Sequence, residues 1–180
     1  MKPSKNTLPD PSRRALLRGR VQTRPAIRPP WALPEAEFLA RCTRCGDCLG
    51  ACAEGVLVKG DGGFPEVDFS RGACVMCGDC VERCQAFAFQ APPRSAVTAW
   101  RHRISLNANC MAMQGVVCRS CGDVCGERAI RFQLRVGGAA VPALDDTTCT
   151  GCGECLSVCP VQALQVEFFP DQTLQRTVDG

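Results

Sequence analysis

Short apolar runs separated by polar or glycine-rich turns recur along the chain and predict short strands. Four such runs occupy 56–58, 87–89, 129–136 and 163–169. The first and third lead through the glycine-rich turns 60–63 and 137–138 into second extended segments, 65–69 and 140–144. Because two strands joined by a tight glycine turn form a β-hairpin, the pattern predicts two hairpins.

Sixteen cysteines lie between these runs and form four groups of four. The groups are Cys42, Cys45, Cys48 and Cys52; Cys74, Cys77, Cys80 and Cys84; Cys110, Cys118, Cys121 and Cys125; and Cys149, Cys152, Cys155 and Cys159. Their first members lie 32, 36 and 39 residues apart, which is long enough for one small supersecondary unit per group. The chain therefore repeats the same order twice: a cysteine group, a hairpin and a second cysteine group.

Groups one, two and four share the spacing C-x2-C-x2-C-x3-C, and only group four continues with the proline, Pro160, of the full ferredoxin signature. Three closely spaced thiolates on one loop can wrap a [4Fe–4S] cluster, while the fourth cysteine points towards a neighbouring cluster. Group three has the spacing C-x7-C-x2-C-x3-C, with Gly126 where proline would stand. We still expect a cluster there, so the chain is predicted to bind three to four [4Fe–4S] clusters.

Pairing neighbouring groups predicts which fourth cysteine completes each ligand set. Cys84 would complete group one, Cys52 group two, Cys159 group three and Cys125 group four. Pairing group one with group four, and group two with group three, satisfies the same rule and stays open at this point.

The predicted fold is α+β, with tandem bacterial-ferredoxin-like units built from short hairpins and short helices. We expect a basic arm at 1–33, a first half at 34–90, a linker at 91–109, a second half at 110–170 and a tail at 171–180. Because each half has few aliphatic and aromatic residues to bury, cluster binding should be coupled to folding.

Charge and composition limit which cellular compartment and which kinds of partner fit the sequence. The net charge of +3 is concentrated in residues 1–30, where eight Lys or Arg face a single Asp. Bound clusters would make the remaining body more acidic, so nucleic-acid binding is a poor inference. No apolar run is long enough for a transmembrane segment, and the segment after Arg13-Arg14 lacks the apolar region of an export signal. We therefore expect a cytoplasmic protein with reduced thiols.

Alternative roles for the cysteines fit less well. Zinc sites use separated C-x2-C pairs, often with histidine, whereas His102 is the single histidine here. Disulfides need an oxidising compartment and would not require one repeated spacing. We expect His102 to be solvated, and no catalytic constellation is visible, so the chain is predicted not to be an enzyme.

The order of motifs resembles the NapF family of ferredoxin-type accessory proteins of periplasmic nitrate reductase systems. The resemblance rests on Ser12-Arg13-Arg14, Ile27-Arg28-Pro29-Pro30-Trp31, Cys42-Thr43-Arg44-Cys45, Gly62-Gly63-Phe64-Pro65, Trp100-Arg101, the x7 gap of group three and Cys159-Pro160. It covers about residues 11–169, and all sixteen cysteines match the family's ligand positions.

The resemblance implies a cytoplasmic partner of the precursor of the nitrate reductase catalytic subunit, which assists insertion or reduction of that subunit's cluster before export. A single-electron carrier between redox proteins would need the same ligands. We expect a cluster donor to hold at least one centre loosely. Irregular group three and the missing prolines after Cys52, Cys84 and Cys125 are the natural candidates. A relay would instead keep its clusters close together.

Overall fold

The computed structural model describes residues 25–96 and 98–168 as short helices and two-stranded sheets, which is consistent with an α+β ferredoxin-like fold. Most of the predicted basic arm and the predicted tail lie outside these residues. No helix within the described part of the chain is long and apolar enough to cross a membrane.

The first half, residues 25–90, contains one β-hairpin and three α-helices. The helices are α1 (Glu35–Arg41), α2 (Asp47–Ala51) and α3 (Asp79–Glu82), and the antiparallel strands are β1 (Leu57–Lys59) and β2 (Pro65–Val67). A 3-10 turn, Asp61–Gly63, connects the strands and contains Gly62 at φ 65° and Gly63 at φ 84°. Such positive φ values are accessible to glycine, so the predicted first hairpin forms at its glycine turn.

The second half, residues 102–168, repeats the plan with longer strands. Its elements are β3 (His102–Leu106), α4 (Ser120–Asp123), β4 (Ile130–Arg135), β5 (Gly138–Leu144), α5 (Glu154–Ser157) and β6 (Leu164–Phe168). The strands β4 and β5 form the second predicted hairpin. The strands β3 and β6 pair antiparallel along all five residues, from His102 opposite Phe168 to Leu106 opposite Leu164.

Two segments differ from the sequence-based expectations. The run 87–89 forms only an isolated bridge, between Ala32 and Phe89. The predicted linker, 91–109, contains β3, whose alternating burial places His102 and Ile104 inside and Arg103 outside. The linker therefore contributes an integral strand to the second half.

The described end of the predicted basic arm also packs on the first half. The Val67 amide donates to the Ile27 carbonyl at 2.7 Å, and Arg28 forms a 2.7 Å ion pair with Glu35. The Trp31 side chain is buried and its Nε1 donates to the Ser95 carbonyl at 2.9 Å. Residues 27–31 thus belong with the first half.

A backbone repeat accompanies the cysteine repeat. Three residues after the fourth cysteine of each group, the chain adopts a left-handed conformation, at Gly55 (φ 64°), Phe87 (φ 51°), Arg128 (φ 52°) and Gln162 (φ 50°). In groups one, three and four this residue's amide donates to the carbonyl of the fourth cysteine, at 3.0 to 3.2 Å. All four groups therefore end with the same left-handed residue, and in groups one, three and four a hydrogen bond closes the turn. The chain then enters a strand or, after group two, the bridge at Phe89.

A matching aspartate turn leads from each hairpin to the next cysteine group. The Asp68 and Asp145 amides donate to the carbonyls of Val56 and Ala129, each at 2.8 Å. The Asp145 carboxylate accepts hydrogen bonds from Thr147 and Thr148, which lower its pKa to about 2. These turns fix how the chain enters groups two and four.

Candidate iron–sulfur centres

Short helices position the third cysteine of each group. In groups one, two and four, a glycine in the left-handed conformation immediately precedes the helix: Gly46 (φ 90°), Gly78 (φ 87°) and Gly153 (φ 85°). In group three, Arg119 precedes α4 instead, with φ −131°. The backbone conformation that positions the thiols of group three therefore differs from that of the other groups.

In the first half, the fourth cysteine of each group faces the thiols of the other group. Burial raises the pKa of Cys48 to about 11, and the charges of Cys42, Cys45 and Cys84 add to that rise. Burial likewise raises the pKa of Cys80 to about 12, with contributions from thiols that include Cys52. Packing of α2 against α3 brings these thiols together.

The second half shows the same exchange. Burial raises the pKa of Cys121 to about 11, and Cys110, Cys118 and Cys159 raise it further. Burial raises the pKa of Cys155 to about 12, and Cys125 is among the thiols that add to it.

The structure thus brings the sixteen thiols together in the sets predicted from neighbouring groups. We name them by the group that supplies three members. They are the group-one set (Cys42, Cys45, Cys48, Cys84), the group-two set (Cys52, Cys74, Cys77, Cys80), the group-three set (Cys110, Cys118, Cys121, Cys159) and the group-four set (Cys125, Cys149, Cys152, Cys155). Ligation of iron by these sets remains a prediction.

Three of the sets each surround one cavity that all four of their thiols line. They are the group-one set, the group-two set and the group-three set. No three His, Cys, Asp or Glu side chains in residues 25–96 and 98–168 are arranged to hold a single ion. A zinc ion draws its sulfur ligands to about 2.3 Å, whereas a four-iron cluster is larger and separates its thiolates.

The electrostatics of the sets also suit a cationic core. Raised pKa values mean that the buried thiols are protonated near neutral pH when no cation faces them. Iron must displace these protons to bind thiolate, and its positive charge then relieves both the burial cost and the mutual repulsion. The Ala163 amide donates to Cys159 Sγ at 3.2 Å, a contact that stabilises thiolate character.

The group-two and group-four sets meet across the two halves. The Cys74 amide donates to the Cys152 carbonyl at 3.0 Å, and the Cys152 charge contributes to the raised pKa of Cys74. Sequence reasoning missed this contact because nothing in the spacing relates two loops so far apart in the chain.

The expectation that His102 is solvated is wrong. The side chain is 6% exposed, and burial lowers its pKa to about 4, against the effect of its hydrogen bond to Gly151. Nε2 donates to the Gly151 carbonyl at 3.1 Å, because a carbonyl oxygen can only accept. The signal available in the sequence was the alternation of 102–106, which places His102 on the same side as Ile104.

Comparisons with known proteins indicate the family and the kind of cofactor. The family model described as a 4Fe-4S dicluster domain matches twice, at residues 41–88 and 116–163. The chain is 46% identical over 138 residues to the ferredoxin-type protein NapF of Haemophilus influenzae, which covers 77% of each chain. It is 39% identical over 161 residues to NapF of Escherichia coli K12, covering 89% of this chain and 96% of the relative.

A more distant relative is the methylamine utilization ferredoxin-type protein MauM of Methylophilus methylotrophus. The two are 30% identical over 171 residues, covering 83% of this chain and 75% of the relative. The two matched dicluster domains and the sixteen cysteines support [4Fe–4S] clusters as the cofactor. The length and identity of the matches show that the chain belongs to the family of ferredoxin-type NapF proteins.

Proposed function

We propose that this chain is a cytoplasmic iron–sulfur accessory protein that binds the precursor of the periplasmic nitrate reductase catalytic subunit and assists its maturation before export. The observation that carries the proposal is the grouping of all sixteen thiols into four sets in a chain 39–46% identical to NapF proteins. Each set would hold one [4Fe–4S] cluster, which gives four clusters in all.

The group-three set is the proposed donor, because its surroundings differ from those of the other sets. Its first two cysteines enclose a seven-residue loop on which Val117 is 82% exposed and Met113 is 45% exposed. The residue before its helix is Arg119, where the other groups have a left-handed glycine. An exposed, irregular loop lowers the barrier to opening the site, so this cluster should be the first to leave.

The protein is not proposed to be an enzyme. Its single histidine is buried and holds the Gly151 carbonyl, which leaves it unsuited to act as a general base on a substrate. Delivery of a cluster or of electrons requires only a partner surface and accessible clusters.

Anaerobic co-purification with the precursor tests this function. Iron and sulfide are counted on each partner before and after incubation. Cluster delivery predicts a gain of about four iron by the precursor and a matching loss from this protein. No binding, or binding without any change in iron or oxidation state, would contradict the proposal.

Matched variants identify the donor set. Cys118→Ser and Cys45→Ser each replace the second cysteine of a group, in group three and group one. Transfer should be lost in Cys118→Ser and retained in Cys45→Ser. Equal transfer by both variants would remove the group-three set as the donor.

Electron supply is a second candidate function, favoured by the direct contact between Cys74 and Cys152. It predicts that the protein binds the precursor and oxidises its own clusters while no iron moves. The same co-purification therefore separates the two functions.

A further inference from the structure

A small aromatic cluster lies where the two halves meet and fits against the loop of group four. Phe69, Trp100 and His102, which we call the aromatic clamp, are each buried. The Phe69 ring lies 5.9 Å from that of Trp100 and 5.8 Å from that of His102, and the Trp100 and His102 rings are 4.9 Å apart. Phe69 follows β2 of the first half, whereas His102 begins β3 of the second.

The clamp contacts the group-four loop at two glycines. His102 Nε2 donates a hydrogen bond to the Gly151 carbonyl. A Cβ atom built on Gly151 would lie 3.1 Å from Trp100 Cδ1. A methyl group at Gly153 would overlap the Phe69 ring. The loop is therefore fitted to the clamp at both residues that flank Cys152.

The equivalent glycines of groups one and two have no such neighbour. Gly46 and Gly78 occupy the same motif position as Gly153 and have the same left-handed backbone, but nothing lies within 4 Å of a methyl group built on either. The close fit at Gly153 is thus a feature of the contact between halves and not of the motif.

We propose that the hydrogen-bonded pair Cys74 and Cys152 is the crossing point for electrons between the two halves, and that the aromatic clamp positions it. The inference rests on the proposed occupancy of the four sets. The clusters would then follow the order group one, group two, group four, group three. The helix α2, which carries Cys48, packs against α3, which carries Cys80, and α4 packs against α5 in the second half.

The transfer at this crossing is a single-electron exchange. The reduced cluster of one half loses one electron and the cluster of the other half gains it, while every iron–thiolate bond stays intact and no proton moves. The electron enters from a low-potential one-electron reductant, for which dithionite serves in the test. Phe69, Trp100 and His102 are positioning residues that act through the two loops.

Three glycine variants of the full chain test the clamp. Gly153→Ala, Gly78→Ala and Gly46→Ala introduce the same methyl group at the same motif position, and only the first meets Phe69. Each is purified anaerobically, assayed for iron and sulfide, fully reduced with dithionite and examined by electron paramagnetic resonance. We expect Gly153→Ala alone to lose part of the magnetic coupling between clusters while keeping its iron.

A second pair guards against failure of Gly153→Ala to fold. His102→Leu removes the hydrogen bond to Gly151, whereas His102→Gln keeps a side-chain N–H donor. Coupling should fall in His102→Leu and recover in His102→Gln. Wild-type iron below about sixteen atoms would overturn the proposed occupancy and the crossing with it. Full iron with unchanged coupling in Gly153→Ala and His102→Leu would leave the occupancy intact and overturn the proposal that the clamp positions the crossing.

Discussion

The two halves repeat one plan but stabilise it in different ways. In the first half, the beginning and end of the chain segment pair through an isolated bridge between Ala32 and Phe89, and a large apolar cluster surrounds the fully buried Phe38. In the second half, the beginning and end pair along five residues of β3 and β6, and the apolar cluster around Ile104 is smaller. The first half thus depends more on side-chain burial, and the second half more on backbone hydrogen bonds.

This difference affects how strongly each half depends on its clusters. Apolar burial contributes to folding with or without metal, whereas a two-stranded sheet is marginal by itself. The second half also exposes the hairpin residues Leu134 and Val136 almost fully. Its structure should therefore depend more on iron than that of the first half.

The largest expected effect is that of removing all iron. Anaerobic treatment with a strong chelator and reductant should unfold the second half, while the segment around Trp31 and Phe38 keeps residual structure. Hydrogen exchange followed by mass spectrometry measures the loss of protected amides separately in each half. Equal exchange in both halves would show that the apolar cluster of the first half is too weak to hold structure without its clusters.

The next effect concerns single ligand sets and tests the exchange of fourth cysteines. Cys159→Ser and Cys118→Ser should each lose about four iron, and the double variant no more than either alone, because both belong to one set. Cys159→Ser with Cys149→Ser should lose about eight. Iron loss that adds up for Cys159 with Cys118, but not with Cys149, would show that group four keeps its own fourth cysteine.

A core substitution in the first half should have a smaller effect. Phe38→Ala removes a fully buried ring whose centroid lies 6.0 Å from that of Phe89. The substitution should lower the free energy of unfolding by about 3–5 kcal/mol. Thermal loss of cluster absorbance provides the measurement. Leu39→Ala, at the neighbouring and partly exposed position, is the control and should change little. A similar shift in both variants would argue against the burial of Phe38 as the cause.

The smallest effect is expected at the aspartate turns. Because the pKa of Asp145 is lowered in the folded protein, its ionised form stabilises the fold above the unfolded value near 3.8 and this contribution is lost as pH falls towards about 2. Asp145→Asn should lower the melting temperature slightly at pH 7, and the difference from wild type should shrink as the protein is acidified. Asp68→Asn gives the matched measurement in the first half. A constant difference at all pH values would exclude ionisation as the cause.

Local patterns allowed prediction of the hairpins and the thiol sets. Glycines at 60–63 and 137–138 supply backbone conformations that a turn requires, and fixed cysteine spacing allows few arrangements around a cluster. Both signals lie within a few residues in the chain, so they predict three members of each thiol set without knowledge of the remaining fold. They left open which group supplies the fourth cysteine, and the packing of the short helices decides that.

The parts that sequence reasoning missed depend on distant partners. The strand β3 forms because Leu164–Phe168 lies beside it, and His102 is buried because Gly151 offers it a carbonyl. The run 87–89 alternates like a strand, but its neighbour 29–32 begins with two prolines, which lack the amides that a longer ladder needs. Only tertiary structure decides these three outcomes.

The exchange of fourth cysteines also determines the order in which the ligand sets become complete during protein synthesis. With the proposed ligation, the group-one set is incomplete until Cys84 leaves the ribosome, and the group-three set until Cys159 does. Bacterial chains emerge N-terminal end first at about 5–20 residues per second, so the first half can be loaded several seconds before the second. The group-three set, proposed to give up its cluster first, is then also the last that a nascent chain can fill.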